Sequence, residues 1–375
     1  MKSKIESINE KGTWILVPRP KDRQVITSKW LLRRKLNPDR SLHCHKARLV
    51  ARGFNQVASI DFHEIFSPTL IITSLRTTIG LAAQLNLYIH QIDIKTAFLN
   101  GDLGQPIYME QPKYFKDIKN PDYVCVLKKT LYGLKQSPRI WYYRLQQFLI
   151  KKGYKRLKSD KKFYTRHNGT HILILVVYVD DILIISNRVD HIKTAKEKLA
   201  TTFSITDGGP LHYMLGIEFN LHGQDHSIQL CQRKFAEDIL NKYQMKDLKP
   251  SPIPATPHLS VNSDMAPKDP QEIKEMETQP FRKMLGSLRY LVSCTRPDLC
   301  YITGYLPRFM QNPGKPHLDA LLQVFQYLKS TTLLGLSYKR QTHHDLQLQG
   351  WCDGVMLTTI VIKIQDIQQQ VMFSL

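Results

Sequence analysis

Residues 171–186 read His-Ile-Leu-Ile-Leu-Val-Val-Tyr-Val-Asp-Asp-Ile-Leu-Ile-Ile-Ser, two strongly apolar runs around adjacent carboxylates. Each run has the length and the β-branched content of a buried strand. The stretch is shorter than the roughly 20 residues a bilayer span needs, and two carboxylates at its centre exclude a transmembrane helix. What remains is a tight hairpin, Ile172–Val179 and Ile182–Ile185 around a two-residue turn, with Asp180 and Asp181 at its tip. Two anions held side by side repel, and one tends to take up a proton unless a cation binds both. Oxygen ligands suit Mg²⁺, which is held by one or two carboxylates plus substrate phosphates. The plainer reading is a polar turn, since Asp is a common turn residue.

The charge balance points to the partner. Lys and Arg number 53 against 32 Asp and Glu, a net charge of +21. Such an excess calls for a polyanion, with nucleic acid first and an acidic membrane second. No amphipathic anchor or lipidation signal supports the membrane. The 375 residues, 42% of them hydrophobic, suffice for two or three domains with real cores. The six cysteines form no Cys-x-x-Cys pair, which excludes a zinc ribbon and fits a reducing compartment. His43-Cys44-His45 puts two histidines on one strand face with no third ligand, so no metal site is read there. The first residues, Met1-Lys2-Ser3-Lys4-Ile5-Glu6, have no apolar segment after their charges and are not a signal peptide. An intracellular protein, in cytoplasmic particles or the nucleus and not secreted, is expected.

Patterning suggests an α+β chain. The first 50 residues read as short strands, including 13–17 and 28–36. Apolar residues recur at helical spacing over 73–86, and a strand over 87–94 follows. Helices are predicted over 137–152, with Pro138 in the first turn, and over 189–203. A hairpin or short strands are predicted at 214–219 and 228–230. Seven prolines between Pro250 and Pro280 mark residues 249–280 as a linker. Helical patterns return at 281–294 and 320–331.

Residues 91–101, Gln-Ile-Asp-Ile-Lys-Thr-Ala-Phe-Leu-Asn-Gly, end an apolar strand on a single carboxylate, Asp93. Alone it reads as a strand cap. Brought beside the hairpin, it would complete a three-carboxylate site for two metal ions and in-line phosphoryl transfer. One ion would activate a 3′-hydroxyl and the other would hold a triphosphate.

Five segments then share a common resemblance. Tyr178-Val179-Asp180-Asp181 resembles the palm motif of reverse transcriptases. Residues 46–56 (Lys-Ala-Arg-Leu-Val-Ala-Arg-Gly-Phe-Asn-Gln), 91–101, 131–142 (Leu-Tyr-Gly-Leu-Lys-Gln-Ser-Pro-Arg-Ile-Trp-Tyr) and Thr295-Arg296-Pro297-Asp298 are similar to copia-type LTR retrotransposon polyproteins. The resemblance runs from about Trp14 to Asp353. It implies a right-hand polymerase with an antiparallel palm sheet, followed by a mostly helical thumb and connection. The expected divisions are fingers and palm over 1–248, the linker over 249–280, thumb and connection over 281–344, and a truncated ribonuclease H start over 345–375.

The same resemblance implies the site. Asp93, Asp180 and Asp181 become the catalytic carboxylates and the ligands of two Mg²⁺ ions, with Mn²⁺ able to substitute. Lys46 and Arg48, which alternate with Ala47 and Leu49 and so share a strand face, become a grip on the incoming triphosphate, with Arg52 nearby. Phe98, five residues after Asp93, becomes the ring that rejects a sugar 2′-hydroxyl. Ordinary core packing explains Phe98 as well. Tyr132, Gly133 and Gln136 line the nucleotide pocket, and Leu215-Gly216 contacts the primer end. The expected partners are an RNA or DNA template with its primer and deoxynucleoside triphosphates, and no membrane. A basic cluster from Lys151 to Lys162 either lines the template path or is a solvated face.

The pattern departs from the family in three places. Gly104 and Pro106 stand where acidic residues are usual, and Asp207-Gly208-Gly209 differs slightly. Asp353 resembles the first ribonuclease H carboxylate, but Val355 to Leu375 lacks the expected continuation. Ribonuclease H activity is therefore expected to be absent. Two readings of function stand: an RNA- and DNA-templated DNA polymerase, and an inactive remnant that only binds nucleic acid.

Overall fold

The computed structural model describes residues 1–36, 42–168, 171–221, 226–257, 259–340, 348–349 and 359–360; Asp353 lies outside them. The chain divides into two compact units, one built on Met1–Leu70 and Ile89–Gly209, the other on Ile71–Tyr88 and Pro210–His344. Helices and predominantly antiparallel sheets are mixed in both, an α+β architecture.

In the first unit, a six-stranded sheet runs in the order Ile205–Pro210, Tyr88–Ile94, Asp181–Ser186, His171–Tyr178, Phe163–Asn168, Lys155–Arg156. The two apolar runs pair antiparallel, Leu175 against Ile184 and Tyr178 against Asp181. The second strand therefore starts one residue earlier than the sequence suggested, and the turn is Val179–Asp180. Ile92, Ile94, Leu175, Val177, Ile182 and Ile184 form one core with Trp141, Leu145 and Leu149 of the helix Ser137–Lys151. Ile192, Ala195 and Leu199 of the helix Val189–Ala200 join it. Asp93 and Asp181 alternate with these core residues, so both belong to the opposite face of the sheet.

A four-stranded sheet (Trp14–Val17, Val124–Lys129, Asp102–Glu110, Val25–Ile26) and the two-stranded ribbon Ser28–Leu36 with Leu42–Ala51 complete the unit. The expectation of strands only over the first 50 residues fails at Lys2–Glu10, which is helical. That segment shows no helical stripe in sequence because a single residue, Ile8, is buried; it packs with Leu49, Ala51, Ile107 and Met109. Tertiary burial, not intrinsic propensity, holds so short a helix.

The second unit carries the helices Ile72–Gln84, Arg233–Lys242, Phe281–Cys294 and Lys315–Ser330 beside a sheet of Tyr213–Met214, Ile217–Leu221, Ile228–Cys231 and Gly335–Tyr338. Its core joins Phe281, Leu285, Leu288, Leu321, Val324 and Phe325. The proline-rich stretch 249–280 is not a plain linker. Val261 is buried in that core, and Asp269 caps the helix Pro270–Thr278 by accepting from the Gln271 and Glu272 amides. Proline at the first helical position presets φ there, so the same residue type that suggested a linker starts a helix.

The Thr-Arg-Pro-Asp segment has a structural task. Arg296, 2% exposed, donates to both Asp298 oxygens, to the Thr331 carbonyl at 2.9 Å and to the Thr331 hydroxyl at 2.8 Å. A lysine keeps the charge but not the planar fork. Arg296→Lys is expected to lower stability by about 2 kcal/mol, the scale of a buried donor network left partly unmade. Urea denaturation measures it; an unchanged midpoint would contradict the bracing role.

Candidate active site

Two neighbouring main-chain carbonyls hold the hairpin turn. The Ile94 amide donates to the Asp180 carbonyl at 2.7 Å, and the Trp141 indole N–H donates to the Val179 carbonyl at 2.7 Å. The first bond lays the end of the Asp93 strand directly against Asp180. The second ties the turn to the helix Ser137–Lys151. Val179 adopts φ 54°, a left-handed conformation that is rare for a β-branched residue. Such local strain persists only where surrounding contacts over-determine it. Beyond Asp93, the Lys95 amide bonds to the Ser204 carbonyl at 2.8 Å, and Thr96 turns the chain with φ 53° into the short helix Ala97–Asn100.

The charge environment follows from this placement. Burial holds the Asp180 carboxyl above the usual carboxylate range, and the Asp93 charge pushes it further up. Lys46 and Arg48 pull it the other way, so both cations lie within electrostatic reach of the turn. Strand register explains their shared orientation: Lys46 pairs with Arg33 and Arg48 with Leu31, two positions apart on one face. The Arg48 guanidinium lies 5.6 Å from the centre of the Tyr132 ring. Burial, with Asp180, pushes the Tyr132 hydroxyl up to about 12, against the opposing pull of Arg48. Phe98 meets Tyr132 edge to face, with ring centres 4.7 Å apart. It is 8% exposed and shares the core with Ile94 and Trp141, so it packs in the core and also lies beside the site.

Other expected residues take different places. Gln136, 6% exposed, is held as a brace. Its Oε1 accepts from the Gln56 amide at 3.1 Å, and its Nε2 donates to the Asp61 carbonyl at 2.9 Å. Both ends of the amide are thus used inside the protein. Leu215 and Gly216 belong to the second unit, whereas the carboxylates belong to the first. They form a two-residue turn with φ 54° and 72°, and the Tyr290 hydroxyl donates to the Leu215 carbonyl. Leu215 therefore presents a fixed backbone corner.

Sequence reasoning missed two contributors. Trp141 carried a usable signal, since a buried indole N–H needs an acceptor. Lys4 carried none. The N-terminal helix brings it near Lys46 and Arg48, and burial together with those cations lowers its ammonium to about 8.

The donor set suits a hard divalent cation. Asp93 and Asp180 are two carboxylates, one of them short of water and raised by the other's charge. A cation relieves both the burial cost and the repulsion. Among the described residues no group of three or more His, Cys, Asp or Glu side chains gathers as a metal site. Asp181 pairs with Tyr178 in the strand while Asp180 occupies the turn. Remaining ligands would come from substrate phosphates and water, the usual habit of Mg²⁺. Among the described residues no helix is long and apolar enough to cross a membrane.

Comparison with known proteins shows the family. Residues 11–257 match the family described as Reverse transcriptase (RNA-dependent DNA polymerase). The chain is 39% identical over 333 residues to the Retrovirus-related Pol polyprotein from transposon TNT 1-94 of Nicotiana tabacum, covering 88% of this chain and 25% of that protein. It is 38% identical over 357 residues to the Retrovirus-related Pol polyprotein from transposon RE2 of Arabidopsis thaliana, covering 94% of this chain and 24% of that protein. The chain thus spans about a quarter of the length of these curated relatives. Among solved structures, a foamy viral protease-reverse transcriptase in complex with double-stranded DNA matches at 14% identity with a TM-score of 0.43, covering 88% of this chain and 47% of that one. The chain belongs to the reverse transcriptase family, of the copia-type LTR retrotransposon kind that its motifs resemble.

Proposed function

We propose that the chain is an RNA- and DNA-templated DNA polymerase. The observation that carries this reading is the Ile94–Asp180 hydrogen bond, which sets Asp93 beside a desolvated Asp180 with Lys46 and Arg48 in reach. The reaction is nucleotidyl transfer. The primer 3′-hydroxyl gives up its proton, its oxygen bonds to the α-phosphorus, the bond to the bridging oxygen breaks, and pyrophosphate leaves. Mg²⁺ held by Asp93 and Asp180, with Asp181 alongside, would supply charge neutralisation at the phosphates and a more acidic 3′-hydroxyl.

The protein's own groups position and screen. Lys46 and Arg48 bind phosphate oxygens, and the Tyr132 ring steadies the Arg48 guanidinium. Phe98, backed by Tyr132, excludes a 2′-hydroxyl by overlap. The rigid corner at Leu215-Gly216 supports the primer end through backbone contacts. On this reading residues 1–248 are fingers and palm and 281–344 thumb and connection. The substrates are deoxynucleoside triphosphates and a primed template, which places the enzyme inside a cell.

Extension of a labelled DNA primer on an RNA template with Mg²⁺ tests the proposal. Asp93→Asn is expected to lose extension while still binding the primer–template duplex. Equal extension by both proteins would overturn the assignment, and binding without extension by the unmodified chain would favour the remnant.

A further inference from the structure

The basic run from Lys151 to Lys162 divides in the structure. Two of its cations turn inward. Arg156 donates to the Tyr142 hydroxyl and to Gln146 Oε1, both at 3.2 Å, and Lys162 is buried with its ammonium 4.6 Å from the centre of the Tyr142 ring. The run's one carboxylate, Asp160, is buried and accepts from the Lys162 amide. Lys151, Lys155, Lys158 and Lys161 are exposed, and Lys152 is half-buried.

Two cations distant in sequence join Lys152. The ends of the helices Ser137–Lys151 and Val189–Ala200 are tied by Phe148 and Phe203, whose ring centres lie 5.0 Å apart. This brings Lys152 and Lys198 together. Arg166 pairs with Leu173, which shares a core with Leu149 and Leu199 of the two helices. Burial lowers the Lys198 ammonium, and Arg166 and Lys152 lower it further. Burial pushes the neighbouring Tyr154 hydroxyl up to about 12, and Arg166 pulls it the other way. Among the described residues no carboxylate pairs with Lys152, Arg166 or Lys198. A helix C-terminus favours the two lysines, but Arg166 stands on a strand and gains nothing from it. Crowded cations repel, and an anion relieves them.

The location separates this group from the carboxylates. Both helices cover the face of the six-stranded sheet opposite Asp93 and Asp181. A strand lying at the carboxylates is therefore on the other side of the sheet. Cations from three elements, with exposed lysines continuing along the chain, suit a repeating phosphate backbone better than a single small anion.

We infer that Lys152, Arg166 and Lys198 bind the phosphates of a second nucleic-acid strand, separate from the one at the carboxylates, on the helix-covered side of the sheet. The contact reads backbone and not bases, so it is blind to sequence and weakened by salt.

The test is fluorescence anisotropy of a labelled oligouridine with the full chain, in the presence of a saturating, unlabelled hairpin primer–template. The oligouridine is expected to bind while the hairpin stays bound. Lys152→Gln with Arg166→Gln and Lys198→Gln should make the slope of log affinity against log salt shallower by about 2, three contacts at roughly 0.7 each, and leave hairpin affinity unchanged. Arg166→Gln alone, at an exposed position, should take away about 0.7. Lys152→Arg with Arg166→Lys and Lys198→Arg should keep the full slope. Displacement of the oligouridine by the hairpin, an unchanged slope in the glutamine variants, or an equal loss of hairpin affinity would overturn the proposal. Tighter binding of polyglutamate than of oligouridine would also overturn it and point to an acidic protein partner. Extension of the hairpin reads the polymerase assignment separately, so the two can fail independently.

Discussion

Asp180→Asn is expected to abolish primer extension and at the same time raise the melting temperature of the metal-free protein at pH 7. The activity loss should be about 10³-fold or more, the scale on which removing one charge-stabilising group lowers turnover. The stability gain follows from the carboxyl's environment. Burial, with Asp93 beside it, raises the folded-state pKa of Asp180 above that of the unfolded chain. Below the ordinary carboxylate range both states are protonated and burial of the group costs no charge. As pH rises through the raised value, the folded protein must ionise a desolvated group next to another anion, and stability falls. The amide escapes that loss. The melting-temperature difference between variant and parent should be near zero at pH 3 and reach its full size above the raised pKa. Mg²⁺ should close the gap by stabilising the parent alone, since a ligand that binds only the native state favours it. Thermal melts at the two pH values, with and without Mg²⁺, read this directly. A variant less stable than its parent at pH 7 would mean that Asp180 is not held in a strained ionic state.

Gly133→Ala is expected to cost about 3–5 kcal/mol, the sum of left-handed strain and overpacking. Gly133 has φ +94°, and a Cβ there would overlap the Ala51 carbonyl oxygen and come 2.7 Å from Val50 Cγ1. Relief requires the two segments to part, which breaks the Ala51–Tyr132 hydrogen bond and shifts Tyr132 away from Arg48. Stability and nucleotide KM should therefore change together. Gly153 is the control. Its φ is +85°, but a Cβ there meets nothing within 4 Å, so Gly153→Ala should show the backbone strain alone. Urea denaturation of both variants, with KM measured for a deoxynucleotide, separates the two contributions. Equal losses would show that close packing at Gly133 contributes nothing.

Where sequence was informative, strong apolar patterning carried it. The runs on either side of Asp180-Asp181 are apolar at every position, so strands buried on both faces and a tight turn followed without any contact information. The helices at Ser137–Lys151 and Val189–Ala200 were legible from apolar residues recurring at helical spacing. The N-terminal helix was hidden because one buried residue makes no stripe. The bracing contacts of Gln136 were hidden because a polar residue in a pocket-like motif looks the same whether its amide faces a ligand or a buried glutamine. Asp181 shows the limit most sharply. Adjacent carboxylates look equivalent in sequence, but a one-residue shift in where the turn lies puts one in the corner and the other in the ladder.

The two hydrogen bonds to the Val179 and Asp180 carbonyls also govern how the centre can fail. Neither carbonyl is held by a mobile flap. One is gripped by a central strand and the other by a helix whose indole sits in the interior. The acidic corner therefore has no softness of its own: it cannot loosen ahead of the sheet, and warming should extinguish chemistry and β-structure in one cooperative step.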